Sequence, residues 1–282
     1  MSEATVISLQ DAARARYAPP PLEIVAEELE RRQSTIPAQD CHIVLDRLSY
    51  AQSHRSGRTT IFNNVSIGFP RGRKIVVLGH EGSGKSILLD LCLRQLPPAS
   101  GQVIINSRVS WKIPTVQFLE GRLSLRENAI FLSRVLGLPP RRIIDAAVEY
   151  IELSPRQLGD PLASLPVWAR MRFGFLILVA CEFDCHLVTS LFRPYSLRLQ
   201  GAKALKAMEL VYGRDYIACA HAASLVPDTC DLVYILYEGR FYLFEDVDQA
   251  IAVFEALPTP VSSVVKKQRP EADEDTSQDE LL

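Results

Sequence analysis

Short apolar runs alternate with polar segments along the middle of the chain, and their periods predict several elements. Residues 42–48 and 61–69 have strand-like composition, and the polar stretch 53–59 between them contains a glycine, which predicts a hairpin. Residues 74–79 form a compact apolar run that ends on glycine, whereas residues 84–91 carry apolar side chains at helical spacing. The pattern therefore predicts a strand, a glycine loop and a helix in succession.

A helical middle and a second group of strands complete the pattern. Ser124-Leu-Arg-Glu127 is a capping-box sequence, Pro139-Pro140 is typical of a helix start, and residues 167–181 are predicted to form a third helix. Beyond them, strand-like runs alternate with helical segments, as parallel βα units do. These runs are residues 185–190, 216–220, 232–237 and 240–244. The order of the elements predicts an α/β fold.

The two ends of the chain differ from this middle in composition. Residues 1–40 contain three consecutive prolines and then, at residues 22–32, a stretch rich in Glu and Arg with helical character. This composition predicts a partly disordered N-terminal extension with one short helix. Residues 259–282 include six acidic side chains and little to bury, which predicts a disordered acidic tail. We therefore expect one globular unit at residues 41–258.

Composition and charge narrow the classes of function. The chain has 282 residues, and its 48% hydrophobic and 23% charged side chains are near the average of globular proteins. Its net charge of −2 provides no broad positive field, so no nucleic-acid partner is expected. The longest apolar run, residues 173–181, is too short to span a bilayer, and the acidic Glu3 and Asp11 are unlike a secretory signal. The sequence therefore predicts a cytoplasmic protein with reduced cysteines.

One segment carries a specific phosphate-binding motif. Residues 79–86 match G-x-x-x-x-G-K-[ST] in full, and they lie between the predicted strand and helix, where this motif works. Glycines let backbone N–H groups and the positive helix end surround a phosphate, Lys85 neutralises the outer phosphates, and Ser86 can ligate Mg²⁺. The predicted nucleotide-binding residues of this segment are Gly79, His80, Glu81, Gly82, Ser83, Gly84, Lys85, Ser86 and Ile87.

Further segments stand at characteristic distances from this loop. They are Leu48-Ser49-Tyr50, Arg122 to Asn128, Tyr216 to His221 and Cys230 to Ile235. In order and spacing, residues 41–250 resemble the ATP-binding subunits of ATP-binding cassette (ABC) transporters. More narrowly, they are similar to the group that exports capsular polysaccharides and related surface glycans.

The resemblance implies a fold and several residue roles. The fold is an ABC-type nucleotide-binding domain, with a RecA-like P-loop core, an antiparallel β subdomain and a helical subdomain at about residues 115–180. Tyr50 would stack on the adenine ring. His221 would act as the switch that contacts the γ-phosphate, a task that suits a switchable hydrogen-bond donor.

The chain departs from the family pattern where the family places its hydrolytic residues. Leu165-Pro-Val-Trp-Ala169 replaces the signature Ser-Gly-Gly, and proline and bulky side chains hinder backbone contact with phosphate. Thr189 and Ser190 stand where the family has the Mg²⁺-organising aspartate and the catalytic glutamate. Glu120 aligns with the coordinating glutamine, although Gln117 is three residues away. The aspartate-containing loop that follows is also replaced, at residues 191–195.

These observations favour one function and leave two alternatives. The leading hypothesis is an ATP- and Mg²⁺-binding subunit of a glycan-exporting ABC transporter, which hydrolyses ATP poorly and regulates the complex. It would sit on the inner face of the plasma membrane against an integral permease, as a homodimer or as a heterodimer with an intact ATP-binding subunit. The first alternative is a nucleotide-free scaffold derived from such a subunit, since the acidic Glu81 lies in the phosphate loop. The second is a small-molecule kinase.

Overall fold

The structure is a computed structural model that describes residues 37–54, 57–113, 118–151, 154, 156–189 and 200–258. The predicted helix at residues 22–32, the rest of the N-terminal extension up to residue 36 and the acidic tail from residue 259 lie outside these residues. Gln117, Ser190 and residues 191–195 lie outside them as well.

Strands and helices alternate through the described ranges, which confirms the α/β class. The strands are β1 (Cys41–His54), β2 (Gly57–Pro70), β3 (Lys74–Leu78), β4 (Ser100–Ile105), β5 (Val109–Ile113), β6 (Cys185–Val188), β7 (Asp215–Ala220), β8 (Leu232–Tyr237) and β9 (Arg240–Phe244). The helices are α1 (Lys85–Cys92), α2 (Leu125–Leu136), α3 (Pro140–Ile151), α4 (Val167–Ala180), α5 (Gly201–Tyr212) and α6 (Val247–Ala256).

The first sheet is antiparallel, with the strand order β2-β1-β4 among the described residues. β1 pairs with β2 from Cys41 opposite Pro70 to His54 opposite Gly57, which confirms the predicted hairpin. Both strands continue into the polar stretch 53–59 that was expected to form the turn, because ladder hydrogen bonds join backbone groups whatever the side chains are. The hairpin is therefore longer than the apolar pattern predicts.

The second sheet contains the parallel core, in the order β5-β6-β7-β3-β8-β9 within the described part of the chain. β3 is central and pairs in parallel with β7 and β8. β9 runs antiparallel to β8, with Tyr237 opposite Arg240, so the prediction of parallel units is wrong for this last strand. Glu238 and Gly239 alone connect the two strands, and both have positive φ (49° and 75°), which fits a tight hairpin and is too short for a crossover.

Both faces of the core sheet are covered, which explains why its central strand is apolar without alternation. Val76 and Leu78 point to one face and pack with side chains from α5 and α6. Ile75 and Val77 point to the other face and pack with α1 and the antiparallel sheet. The glycine loop follows β3 directly, so it rests on the most buried part of the fold.

Helices α2, α3 and α4 build an apolar cluster of their own, which includes Leu132, Ile143 and Phe173. The predicted capping box at the start of α2 is confirmed. Ser124 Oγ accepts the Glu127 N–H at 3.2 Å, and the Glu127 carboxylate accepts the Ser124 N–H at 2.8 Å. These carboxylate contacts lower the pKa of Glu127.

Two more helix predictions are confirmed: α3 begins at Pro140, and α4 occupies the predicted range 167–181 apart from its last residue. No helix in the described ranges is long and apolar enough to cross a membrane. The proposed borders of the globular unit at residues 41 and 258, and those of the helical subdomain, stay predictions.

Candidate nucleotide site

The glycine loop joins β3 to α1, and close packing requires two of its glycines. Gly84 has a φ of 103°, and a Cβ there would lie 2.6 Å from Ile61 Cγ2 on β2. A Cβ on Gly79 would lie 2.7 Å from the carbonyl oxygen of Leu236 on β8. The Gly79 N–H donates to the Ala220 carbonyl oxygen at 3.1 Å, at the end of β7. Three strands therefore surround the loop. A side chain at position 79 would meet the backbone of β8, and one at position 84 would need a strained backbone and a shift of the Ile61 side chain.

Lys85 opens α1 and folds its side chain back over the loop. Its ammonium donates to the carbonyl oxygens of Gly79 (2.5 Å) and His80 (2.8 Å) and contacts Ser83 Oγ at 3.2 Å. Burial lowers the pKa of Lys85, while the nearby carboxylate of Glu81 acts in the opposite direction. The ammonium thus places a partly buried positive charge directly over the loop, where it can meet an anion.

The start of α1 suits a phosphate for a second reason. The first N–H groups of any helix have no intrahelical acceptor, and the helix dipole places positive charge at the same end. The first turn of α1 contains no acidic side chain, and Gly84 precedes it without capping it through a side chain. The loop residues therefore fit a nucleotide phosphate, which would take up these N–H groups.

The same turn provides one candidate ligand for Mg²⁺. Ser86 is exposed there, and its hydroxyl can coordinate a metal that accompanies the nucleotide. No group of three His, Cys, Asp or Glu side chains that could hold a metal exists in the described part of the chain. The residues therefore fit Mg²⁺ only as a partner of bound phosphates, with Ser86 as a protein ligand.

His80 turns from the loop toward the C-terminal helix. Its ring stacks on Phe254 of α6, with ring centroids 4.7 Å apart and an angle of 29° between the planes. Its Nε2 is buried and has no hydrogen-bond partner within the described residues. Burial lowers the pKa of His80, the charge of Lys85 lowers it further, and a hydrogen bond with the backbone of Leu257 opposes both. A neutral imidazole therefore ties the loop to α6.

This contact predicts a pH dependence of stability. Because the pKa of His80 is lower in the folded chain than its usual value near 6.5, the unfolded chain binds more protons at mildly acidic pH. The contribution of His80 to stability is therefore complete above about pH 6.5 and is lost as the pH falls below it. We expect His80→Phe, which keeps a ring against Phe254, to show a smaller loss of thermal stability than the wild type between pH 7.5 and pH 5.5. Equal losses in both proteins would contradict this role.

The structure brings Tyr50 and His221 to the surroundings of the loop. Tyr50 lies opposite Phe62 in the β1–β2 pair, and a Cβ on Gly84 would lie 3.2 Å from the Phe62 ring. His221 is exposed and directly follows Ala220, whose carbonyl oxygen holds the loop. Tyr50 is thus one strand away from the β2 side chains that touch Gly84, and His221 follows the strand that holds Gly79; their roles stay predictions.

Thr189 follows β6, and the carboxyl ends of the parallel strands share one edge of the sheet with the loop. Its N–H donates to the carbonyl oxygen of Ile113 at 2.8 Å, and its hydroxyl donates to the same oxygen at 3.1 Å. The hydroxyl of Thr189 is thus bound to the backbone. No carboxylate is present at this position to bind a metal or to act as a base. Ser190, the neighbouring hydrolytic position, lies outside the described residues.

Glu120 lies in a turn organised by the buried Asn128. The Glu120 N–H donates to Asn128 Oδ1, and the Glu120 carbonyl oxygen accepts from Asn128 Nδ2, both at 2.9 Å. The Glu120 carboxylate accepts the N–H of Arg122 at 3.0 Å. Two hydrogen bonds with Asn128 therefore hold the backbone of Glu120. Its carboxylate is exposed, at the position that aligns with the coordinating glutamine of the family.

Helix α4 begins where the family signature would stand. Pro166 occupies its N-cap without a capping side chain, and Val167 is 60% exposed. The guanidinium of Arg172 lies over the ring of Trp168, 4.8 Å from its centroid. A helix start is present here, but proline, valine and tryptophan stand at positions 166–168, where bulky side chains hinder the approach of a phosphate to the backbone.

Sequence reasoning missed the supports beneath the loop. Phe254 was not singled out, and His80 was assigned only as a loop position. The buried Cys219 is another support, because its thiol donates to the carbonyl oxygen of Lys85 at 3.8 Å, and burial raises its pKa to about 12. An aromatic residue on the apolar face of the last helix was visible, but spacing alone does not show which strand end that helix reaches.

Comparison with known proteins agrees with this geometry. Residues 62–139 match the ABC transporter family. The capsule polysaccharide export ATP-binding protein CtrD of Neisseria meningitidis is 27% identical over 77% of this chain and 100% of its own length. The ATP-binding protein BexA of Haemophilus influenzae is 28% identical over 69% of this chain and 89% of its own length. The polysialic acid transport ATP-binding protein KpsT of Escherichia coli is 25% identical over 76% of this chain and 98% of its own length.

Solved structures share the fold. CbiO1 of Clostridium perfringens, part of the ABC transporter complex cbiONQ, superposes with a TM-score of 0.53, covering 76% of this chain and 91% of its own, at 20% identity. The dimeric cassette MJ0796 with ADP and phosphate has a TM-score of 0.54, covering 72% and 98%, at 18% identity. The chain therefore has the P-loop fold of ABC-type ATP-binding proteins. Within the class it is similar to the capsule polysaccharide export subunits, which confirms the resemblance predicted from the sequence.

Proposed function

We propose that this chain is the ATP-binding subunit of an ABC transporter that exports capsular polysaccharide or a related surface glycan, and that it binds ATP but hydrolyses it poorly. One contrast carries the proposal. The phosphate loop is complete and Lys85 is in place above it, whereas the side chain that ends β6, Thr189, is bound to the backbone of Ile113.

Nucleotide binding follows from the residues around the loop. The N–H groups from Gly82 to Ser86 and the ammonium of Lys85 would hold the phosphates, and Tyr50 would stack on adenine. His221 would approach the γ-phosphate from the end of β7. When ATP is bound with Mg²⁺, the metal neutralises charge between the outer phosphates, and Ser86 would contribute its hydroxyl.

Poor hydrolysis follows from the missing carboxylates. A threonine hydroxyl is too weak a base to take a proton from an attacking water, and loss of a general base typically costs about 10²–10⁴ in rate. The bulky residues at the start of α4 remove a second contribution, because Pro166 and Val167 cannot present the bare backbone that a phosphate from a partner subunit would need. Both defects leave binding intact, so nucleotide would act as a regulatory ligand.

The proposed assembly follows from the relatives. The names of CtrD and KpsT describe ATP-binding proteins of polysaccharide export or transport, and the solved cassette MJ0796 is dimeric. We infer that this chain attaches to an integral membrane permease on the inner face of the plasma membrane. It would pair there with a second copy or with an intact ATP-binding subunit, whose signature loop would face this chain's phosphate loop but would not replace its missing carboxylates.

The proposal is tested by measuring binding and turnover in one sample. The purified full chain is mixed with radiolabelled Mg-ATP, bound nucleotide is counted, and the fraction of ADP is followed over time. We expect saturable binding of about one ATP per chain and turnover on the order of 10⁻¹ to 10⁻³ per second, since a typical enzyme at about 10 per second would lose a factor of about 10²–10⁴. Turnover at the ordinary rate would overturn the hydrolytic part of the proposal.

One observation favours a second function, a nucleotide-free scaffold in a glycan-export complex. Glu81 is exposed within the phosphate loop, and its carboxylate lies close enough to Lys85 to oppose in part the burial that lowers the pKa of that ammonium. A carboxylate so placed competes with phosphate for the same positive charge. The binding measurement separates the two functions, because a scaffold would bind no ATP at any accessible concentration.

A further inference from the structure

A groove opens at the end of the core sheet opposite the phosphate loop. It follows the last turns of α5, and its cavity measures about 480 Å³, which lies within the range of binding pockets in proteins. We call it the α5 groove. Its apolar lining is provided by Met208, Tyr212, Leu225, Val226 and Pro227. Charged residues of both signs, Lys74, Glu209 and Asp228, also line it.

The apolar lining continues along α5 from the buried Tyr212 (3% exposed) through the half-buried Met208 to Leu205 on the protein surface. Leu205, Met208 and Tyr212 are spaced i, i+3 and i+7, so they lie along one face of the helix. Leu205 is 74% exposed, the most exposed large apolar side chain in the described part of the chain. A stripe of seven residues is about 10 Å long. The surface therefore has the length and character that receive an amphipathic helix.

The chain contains a segment that matches this stripe. In residues 22–32, the apolar side chains of Leu22, Val25, Ala26 and Leu29 recur at i, i+3, i+4 and i+7, and the remaining positions are mostly Glu and Arg. Seven residues of helix again span about 10 Å. A segment of this pattern buries its apolar face only against another surface.

The described chain begins close to the α5 groove. The carbonyl oxygen of Asp40 accepts the N–H of Arg71 at 2.8 Å, and Arg71 is three residues from Lys74 in the groove, at most about 10 Å along the chain. The Gly72 N–H also donates to Asp215 Oδ2 at 2.6 Å, next to the end of α5. Four residues, 33–36, lie between Arg32 and residue 37, so the five steps span up to about 17 Å. Residues 22–32 can therefore reach the groove of their own chain.

We propose that residues 22–32 form an amphipathic helix that docks into the α5 groove of the same molecule. Leu22, Val25 and Leu29 would cover Leu205 and fill the space between Met208 and the segment 225–227. The charged rim of the groove suits the Glu and Arg side chains on the polar face of the segment. The docked helix would hold α5 against β7, the strand whose end fixes the phosphate loop through Ala220. This proposal does not depend on whether the loop binds ATP.

The first test compares thermal melting of full-length variants. Val25→Asp places a charge in the centre of the docked face, and we expect it to lower the melting temperature by about 3–5 °C. Leu205→Asp should have a similar effect, and the double variant should melt no lower than either single variant, because each change removes the same contact. Two substitutions are the matched controls and should leave the melting temperature unchanged. Val6→Asp lies in the N-terminal extension outside residues 22–32, and Val135→Asp lies at a 66% exposed position on α2.

The second test supplies the segment separately. A fluorescent peptide of residues 20–34 is titrated into full-length Val25→Asp, whose groove the proposal leaves open, and its anisotropy is followed. We expect the peptide to bind Val25→Asp with a dissociation constant of about 10–100 μM. It should not bind the double variant Val25→Asp/Leu205→Asp, nor the wild type, whose own segment occupies the groove.

Specific outcomes would overturn the proposal. If Val25→Asp and Leu205→Asp melt with their controls, or if the peptide binds all three proteins alike, the segment does not occupy the groove. If Val25→Asp converts a dimer into a monomer in light scattering, the segment docks on a second copy and the intramolecular assignment is wrong.

Discussion

Replacement of Lys85 by alanine is expected to lower the affinity for Mg-ATP by about 10- to 100-fold. Hydrogen bonds to charged groups contribute about 1.5–3 kcal/mol, and every 1.4 kcal/mol is a factor of ten in affinity. In the free protein the Lys85 ammonium is bound to the carbonyl oxygens of Gly79 and His80, so these contacts have to be exchanged for phosphate contacts. Burial disfavours the charged form of Lys85, so a phosphate beside the ammonium stabilises it more than it would in water. Isothermal titration calorimetry of the wild type and the variant measures the difference.

The matched control is Lys206→Ala. Lys206 is an exposed lysine on α5 that pairs with Glu209 at 2.8 Å, away from the loop, and its removal changes the net charge by the same amount. We expect the affinity for ATP to stay within about twofold, since exposed ion pairs contribute little. If both variants bound ATP equally, the positive charge would act from a distance and the assigned role of Lys85 would be wrong.

The sequence predicted most elements of the fold because the physical signals were local. The capping box at Ser124, the proline at the start of α3 and the apolar run of β3 each depend on neighbouring residues alone, and the structure contains all three. Strand direction is not local. The two-residue turn at Glu238 and Gly239 makes β9 antiparallel, and only attention to the length of that connection would have shown this.

The candidate site was predicted to a similar extent. A complete phosphate motif identified the loop, because its chemistry requires glycines and a lysine at fixed spacing. The contact of His80 with Phe254 was not predictable, since it joins the loop to the last helix of the fold and depends on how α6 packs against the sheet. The contact of Thr189 with the Ile113 carbonyl oxygen likewise depends on the register of β5 and β6. Such supports determine how rigid the loop is, whereas the motif determines only what it can bind.

Restoring the two carboxylates is expected to raise ATP turnover by about tenfold or more. In Thr189→Asp/Ser190→Glu the added aspartate can organise metal-bound water and the glutamate can act as the general base, a contribution of typically about 10²–10⁴. We expect less than the full factor because Pro166 and Val167 still occupy the start of α4. Loss of the hydrogen bond between Thr189 and Ile113 costs about 0.5–1.5 kcal/mol, so the melting temperature of each variant is measured beside its rate.

The control for charge is the neutral variant Thr189→Asn/Ser190→Gln, whose side chains have the same size as those of Thr189→Asp/Ser190→Glu. It should not exceed the wild-type rate, and adding Lys85→Ala to the carboxylate variant should abolish the gain, which ties the activity to the phosphate loop. If the carboxylate variant is folded, binds ATP and still turns over at the wild-type rate, the missing carboxylates do not limit hydrolysis. The limiting defect would then be the start of α4. The γ-phosphate would be held by the phosphate loop on one side but would lack hydrogen-bond donors from the signature position of the partner subunit on the other.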